Sequence, residues 1–144
     1  MITLGHVNIR TDRLEETCAF YERLLGFRRG VAATVPDPTR NLWLFDAAGN
    51  ACVHVNAFRP GEDQTAGVGA SLNHIAFNCP DREAMAAQLA ADGIAYRVGE
   101  TVVPGVVQFN LRDPNGVAVE LTFGHERLTA AALGMDMTDT GAGS

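Results

Sequence analysis

The sequence predicts an α+β fold made of two tandem β-α-β-β-β modules, and three observations carry that prediction. The run Leu4-Gly5-His6-Val7-Asn8-Ile9-Arg10 is echoed by Leu72-Asn73-His74-Ile75-Ala76-Phe77-Asn78, with the two histidines 68 residues apart. Both runs alternate in character, the pattern of a half-buried strand, and each leads into a helical pattern. Asp46-x-x-Gly49 and Asp113-x-x-Gly116 then mark the same turn, 67 residues apart. Self-similarity at a fixed offset is the signature of an internal duplication.

In chain order, the strand at 4–10 is followed by a helix over 11–25. There Leu14, Cys18, Tyr21 and Leu25 recur at helical spacing, Thr11 or Asp12 can cap the start, and Gly26 closes the end. Phe27–Val31 reads as a strand, and the two prolines of 35–39 make that stretch a loop. Asn41–Phe45 and Ala51–Phe58 are strands joined by a turn at 46–50. Module one is thus residues 1–60, and the polar, Gly-rich stretch 59–70 is a linker. Module two, residues 71–124, repeats the order: a strand over 71–78, a helix over 81–92 ended by Gly93, and strands at 95–98, 106–112 and 117–123. Asp113-Pro114-Asn115-Gly116 is a strong turn signal between the last two. The C-terminal extension, 125–144, is expected to form a short helix, beginning at about Gly124, and then a frayed tail.

A chain of 144 residues with 47% apolar content fits one ordinary domain, or two half-domains that share a core. A formal charge of −6 and the absence of any basic run argue against a nucleic-acid or anionic-membrane surface. No apolar stretch approaches the roughly 20 residues that span a bilayer, and the first residues lack the pattern of a signal peptide. Cys18, Cys52 and Cys79 show no metal-finger spacing and read as reduced thiols of a cytoplasmic protein.

The candidate chemistry follows from strand parity. His6 and Asn8 share one face, and His74 and Asn78 share one face. Glu120 stands between Val119 and Leu121, where a lone carboxylate needs a partner, and His54 likewise stands between Val53 and Val55. The duplication pairs His6 with His74, and His54 with Glu120 to within one residue. Two imidazoles and a carboxylate suit a divalent ion such as Fe2+, Mn2+, Ni2+ or Zn2+ with open positions for water or two substrate oxygens. Such an ion acts as a Lewis acid on the bound substrate. Taken singly, each of these histidines is more ordinary as a hydrogen-bonded strand residue, and His125 reads as solvated. Gln108 and Asn110 alternate with Val107, Phe109 and Leu111, so they face the same side as Glu120; Asn41 and Trp43 hold the matching places in module one. Trp43, the sole tryptophan, suits core packing or a wall for a flat, apolar substrate portion. Asn8, Asn56 and Asn78 are on the inward faces and can bind substrate.

The stretches Leu4–Arg10, Ala19–Phe27, Leu72–Phe77 and Leu111–Leu121 together resemble the vicinal oxygen chelate superfamily. That superfamily includes glyoxalase I, type I extradiol dioxygenases, methylmalonyl-CoA epimerase, and the fosfomycin and bleomycin resistance proteins. The resemblance covers nearly residues 2–124, and Asp-Pro-x-Gly-x-x-x-Glu is its most specific part. It implies a single domain over 1–124, in which the modules form a cupped, incompletely closed mixed β-barrel. It also implies that His6, His74 and Glu120 ligate the metal, and that His54 is either a fourth ligand or an acid–base group. Fosfomycin resistance proteins contact substrate at the places of Gln108 and Asn110. Extradiol dioxygenases carry a tyrosine at the place of Asn110, and this chain does not.

The leading expectation is a metal-dependent, glyoxalase-like lyase or isomerase. It would move a proton, through His54 or Glu120, on a small substrate that chelates the ion through its oxygens. The alternatives are an Fe(II)-dependent extradiol dioxygenase and a non-catalytic ligand-sequestering protein of the bleomycin-resistance type. A homodimer is expected, with each site formed within one chain or across two.

Overall fold

Strand and helix boundaries fall where the turn chemistry puts them. The computed structural model describes residues 4–32, 37–61 and 74–134. The start of the proline loop, most of the linker, the first residues of the 71–78 strand and the C-terminal tail lie outside the described residues. The elements run β1 (Val7–Thr11), α1 (Leu14–Leu25), β2 (Arg28–Val31), β3 (Asn41–Phe45), β4 (Ala51–Ala57), β5 (His74–Cys79), α2 (Arg82–Ala91), β6 (Arg97–Glu100), β7 (Val107–Arg112) and β8 (Ala118–Phe123). This is the duplicated β-α-β-β-β order, an α+β fold with two four-stranded mixed sheets, β1-β4-β3-β2 and β5-β8-β7-β6. In each sheet the first strand pairs parallel with the fourth, and the other neighbours are antiparallel.

The chain divides into two compact units: residues 1–73 with 113–117, and residues 74–112 with 118–144. In the first, α1 packs over β2, β3 and β4. Its buried Thr17, Cys18, Tyr21 and Leu24 meet the sheet face formed by Ile9, Leu42, Leu44, Val53 and Val55. Fully buried side chains such as Tyr21 and Leu44 contribute roughly 1.5–3 kcal/mol each. Gly26 takes φ 69° and closes α1 by donating its N–H to Glu22 O, a conformation that costs other residues a steric clash. On the outer side, the Arg29 guanidinium clamps two helix carboxylates, with Nε and Nη2 each 2.7 Å from a Glu22 oxygen and Nη1 2.6 Å from Glu15 Oε2.

In the second unit, Leu89 of α2 is fully buried, and the core is formed by Phe109, Leu111, Val119, Leu121 and Phe123. The Tyr96 and Phe123 rings flank Phe109 with centroids 4.5 and 4.8 Å away. Asp81 caps α2 through the Ala84 N–H. At the other end, the N–H groups of Gly93 and Ile94 return to Ala90 O and Leu89 O.

Among the described residues, four differences from the sequence reading exceed a single residue at an element's end. Neither Thr11 nor Asp12 caps α1. The N-cap is Arg13, and the Thr11 hydroxyl instead accepts the Arg13 N–H and meets Asn115. β1 starts at Val7, which leaves His6 immediately before the strand. β6 begins two residues late because Ile94 is used in closing α2 and Tyr96 packs on Phe109. The expected last helix is one 3-10 turn, His125–Arg127.

Candidate functional site

The chemistry lies on the sheet faces turned away from the helices. Paired residues on neighbouring strands project from the same face. In the first unit Asn8, His54, Trp43 and Gly30 therefore form one row across β1, β4, β3 and β2. His6, next to this face, closes an aromatic cluster. Its ring centroid is 5.5 Å from Trp43 and 5.9 Å from His54, and Trp43 is 5.9 Å from His54. Phe45 extends the cluster, 6.3 Å from Trp43, and lies over Gly30, where a Cβ would come within 2.8 Å of its ring.

His54 is half-buried, and its Nε2 hydrogen-bonds to Asn41 Oδ1. With the amide oxygen accepting, Nε2 carries the hydrogen and Nδ1 keeps a lone pair. Burial, helped by the nearby His6, pushes the His54 pKa below its usual value, so the ring is neutral at pH 7. The indole N–H of Trp43 and the Asn56 side-chain oxygen are buried without a hydrogen-bond partner among the described residues.

In the second unit the equivalent row is Ala76, Glu120, Asn110 and Arg97 across β5, β8, β7 and β6. Glu120 is held from one side. Its Oε1 accepts Gln108 Nε2–H at 2.7 Å and Thr122 Oγ1–H at 3.2 Å. Its Oε2 is 3.7 Å from His74 Nε2. The Glu120 side chain is 15% exposed and that of His74 45%, so this oxygen and nitrogen sit at an accessible edge. A carboxylate with one oxygen fixed by neighbours and the other beside an imidazole nitrogen is a donor set that suits a divalent ion, because outer hydrogen bonds orient the ligating oxygen. Among the described residues, no group of three or more His, Cys, Asp and Glu side chains is gathered in metal-ligating geometry.

The structure thus brings His6, Trp43 and His54 together, with Asn8 in register beside His54, and it brings His74, Glu120 and Gln108 together. Asn110 is exposed, directly across from Glu120. Sequence reasoning assigned Gln108 to substrate, whereas its amide is engaged with Glu120. It also passed over Thr122 as a site residue, and the signal that could have found it was its parity with Glu120 two residues earlier. The thiols of Cys18 and Cys79 are pushed up to about 11 by burial, and Cys52 is also raised, which makes all three poor nucleophiles at neutral pH.

Residues 3–121 match the Glyoxalase/Bleomycin resistance protein/Dioxygenase superfamily. The chain belongs to that superfamily. Solved structures share the fold at low identity. A glyoxalase/bleomycin resistance protein/dioxygenase domain from a Frankia species aligns with TM-score 0.67 and 20% identity over 88% of this chain and 94% of that one. The genomically encoded fosfomycin resistance protein of Listeria monocytogenes gives 0.64 and 16%, over 89% and 99%. Lactoylglutathione lyase of Agrobacterium tumefaciens gives 0.60 and 17%, over 85% and 93%. No curated protein matches the chain in sequence. Among the described residues no helix is long and apolar enough to cross a membrane.

Proposed function

We propose that this superfamily member is a metal-dependent enzyme of the glyoxalase type, catalysing proton transfer on a small substrate that chelates the ion through its oxygens. The observation that carries the reading is the His74–Glu120 pair, whose carboxylate is oriented by Gln108 and Thr122. In this reading His74 and Glu120 would supply two ligands and His6 would be the third, to Fe2+, Mn2+, Ni2+ or Zn2+. When bound, the ion supplies Lewis acidity to the substrate's oxygens. His54 would take up the proton at Nδ1, a role supported by its neutral ring and by its Nε2 contact to Asn41. Trp43 and Phe45 offer an apolar wall and exclude water. The working form is a cytoplasmic homodimer.

The test is metal loading of purified protein followed by elemental analysis. Wild type is expected to hold a divalent ion, and His74→Ala to lose it with an unchanged circular dichroism spectrum. Activity against methylglyoxal–thiol adducts, epimerisable thioesters or catechols should disappear with the ion. Protein that takes up no divalent metal under any loading condition sinks the reading. A second reading, ligand sequestration without turnover, is favoured by the aromatic cluster of His6, Trp43, Phe45 and His54. Saturable ligand binding that survives His74→Ala, with no product formed, would establish it instead.

A further inference from the structure

The face that carries Glu120 gathers two arginines on neighbouring strands. Arg97 stands at the end of the Glu120 row, opposite Asn110. The next row reads His74, Ala118, Arg112. Both arginines therefore share the face of the His74–Glu120 pair, each two strands away from one of its members, roughly 10 Å between Cα atoms. Arg97, Asn110 and Arg112 are all exposed. Arg97 has no ion-pair partner among the described residues. The Asn110 amide nitrogen leans over Gly99, where a Cβ would stand 3.4 Å from it.

The duplication provides an internal control. Counted from His54, the positions of Arg97 and Arg112 are occupied in the first unit by Gly30 and Phe45. The first unit's face also carries two exposed arginines, but on its two opposite edge strands, Arg10 of β1 and Arg28 of β2, whereas Arg97 and Arg112 stand on the neighbouring strands β6 and β7, with Asn110 between them. The chain carries 17 acidic residues and a charge of −6, yet Glu120 is the sole acid on this face of β5–β8.

We propose that Arg97, Asn110 and Arg112 bind an oxyanion of the substrate, a carboxylate or phosphate group, about two strands from His74 and Glu120. The guanidinium forks donate bidentately to such a group, and the Asn110 amide adds a further N–H. This names the substrate class of the site proposed above and rests on that reading for its orientation: metal-chelating oxygens at one end, an anionic group at the other.

The test uses metal-free full-length protein and two probes, inorganic phosphate and malonate, followed by amide and guanidinium N–H shifts in NMR spectra. Sodium chloride at matched ionic strength and the neutral malonamide are the controls. Saturable shifts at Arg97, Asn110 and Arg112 are expected, about tenfold weaker in Arg97→Gln or Arg112→Gln. They should be unchanged in Arg28→Gln, which alters the first unit. A larger response to one probe identifies the group as planar or tetrahedral. Shifts that do not saturate, or that persist equally in the Arg97→Gln/Arg112→Gln double variant, overturn the proposal. Metal uptake by wild type and His74→Ala is a separate measurement, so failure of the anion site and failure of the metal site are distinguishable.

Discussion

The turn at 46–50 and the turn at 113–117 have the same backbone and different surroundings. In each, the aspartate N–H donates to the carbonyl four residues on, the glycine N–H returns to the aspartate carbonyl, and Oδ1 accepts two further N–H groups. Gly49 and Gly116 take φ 86° and 81°. Asp46 keeps its remaining bonds in solvent, whereas Asp113 is 5% exposed and accepts the hydroxyl of the fully buried Tyr21 at 3.1 Å. Asn115 adds a bond to Thr17 and one to Thr11. Burial and the Asp113 carboxylate both push the Tyr21 pKa up, which keeps its proton in place for that hydrogen bond. The same contrast runs through the two sheet faces. An amide on the central strand holds the side chain diagonal to it, Asn41 on His54 and Gln108 on Glu120. One face centres on an aromatic cluster, the other on a carboxylate held among amides and a hydroxyl. The duplicated backbone fixes where side chains stand, and their identity divides the chemistry between the halves.

The largest effect should come from the twin turns. Asp113→Ala removes the acceptor of the buried Tyr21 hydroxyl and of the Asn115 and Val117 N–H groups and is expected to cost about 3 kcal/mol, with a clearly smaller loss for the exposed Asp46→Ala. Urea unfolding midpoints measure both, and equal losses would erase the distinction. Next, Gln108→Ala should weaken divalent-metal binding about 10- to 100-fold by releasing Glu120, with little change in stability. Asn41→Ala should leave metal affinity nearly unchanged if His54 moves protons, and lower it comparably if His54 is a fourth ligand; isothermal titration separates the two. A smaller contrast concerns the edge-strand glycines. Gly30→Ala must displace Phe45 and should cost about 1 kcal/mol, while Gly99→Ala meets only the exposed Asn110 amide and should be close to neutral in thermal unfolding.

The smallest effect is electrostatic. Hydrogen bonds from Arg29, ahead of its charge, hold the Glu15 carboxyl below its usual pKa, and the same hydrogen bonds do so for Glu22. A carboxylate with a depressed folded pKa contributes stability that is present above its unfolded value, about 4.3, and is lost as pH falls through the folded value. Arg29→Gln should thus destabilise by about 0.5–1 kcal/mol at pH 7, a modest figure because Glu15 is exposed. The difference from wild type should shrink steadily as pH falls below about 4. A gap that stays constant from pH 7 to 3 would mean that the clamp acts through packing alone.

Much of this was legible in the sequence because it is local. Alternation placed His54 between Val53 and Val55, and Glu120 between Val119 and Leu121, and the Asp and Gly of each turn carry their own backbone geometry. The strand Asn41–Phe45 and the closure at Gly26 were found where expected. What escaped depends on register. Parity says that Gln108 and Glu120 share a face, but only the pairing of Gln108 with Thr122 and of Asn110 with Glu120 makes Gln108 the diagonal neighbour of the carboxylate. Likewise Thr11 looked like a helix cap because its hydroxyl precedes a helical run, and no local rule reveals Asn115, 104 positions away, as its partner.

One further irregularity explains why the two halves do not superpose residue for residue. Phe45 pairs with Ala51, but Leu44 pairs with Val53, so Cys52 is an extra residue bulged out of β4. At the turn just before the bulge the halves are offset by 67 positions, as in Asp46 and Asp113; after it His54 and Glu120 are offset by 66. A bulge keeps phase: the strand gains a residue, yet His54 still lies opposite Trp43, as Glu120 lies opposite Asn110. Chain length can therefore drift at this corner without turning the histidine over to the core side. A chain lacking Cys52 should retain the pairing of that histidine with Trp43, so any comparison of relatives has to allow a one-residue gap here before judging whether the histidine is present.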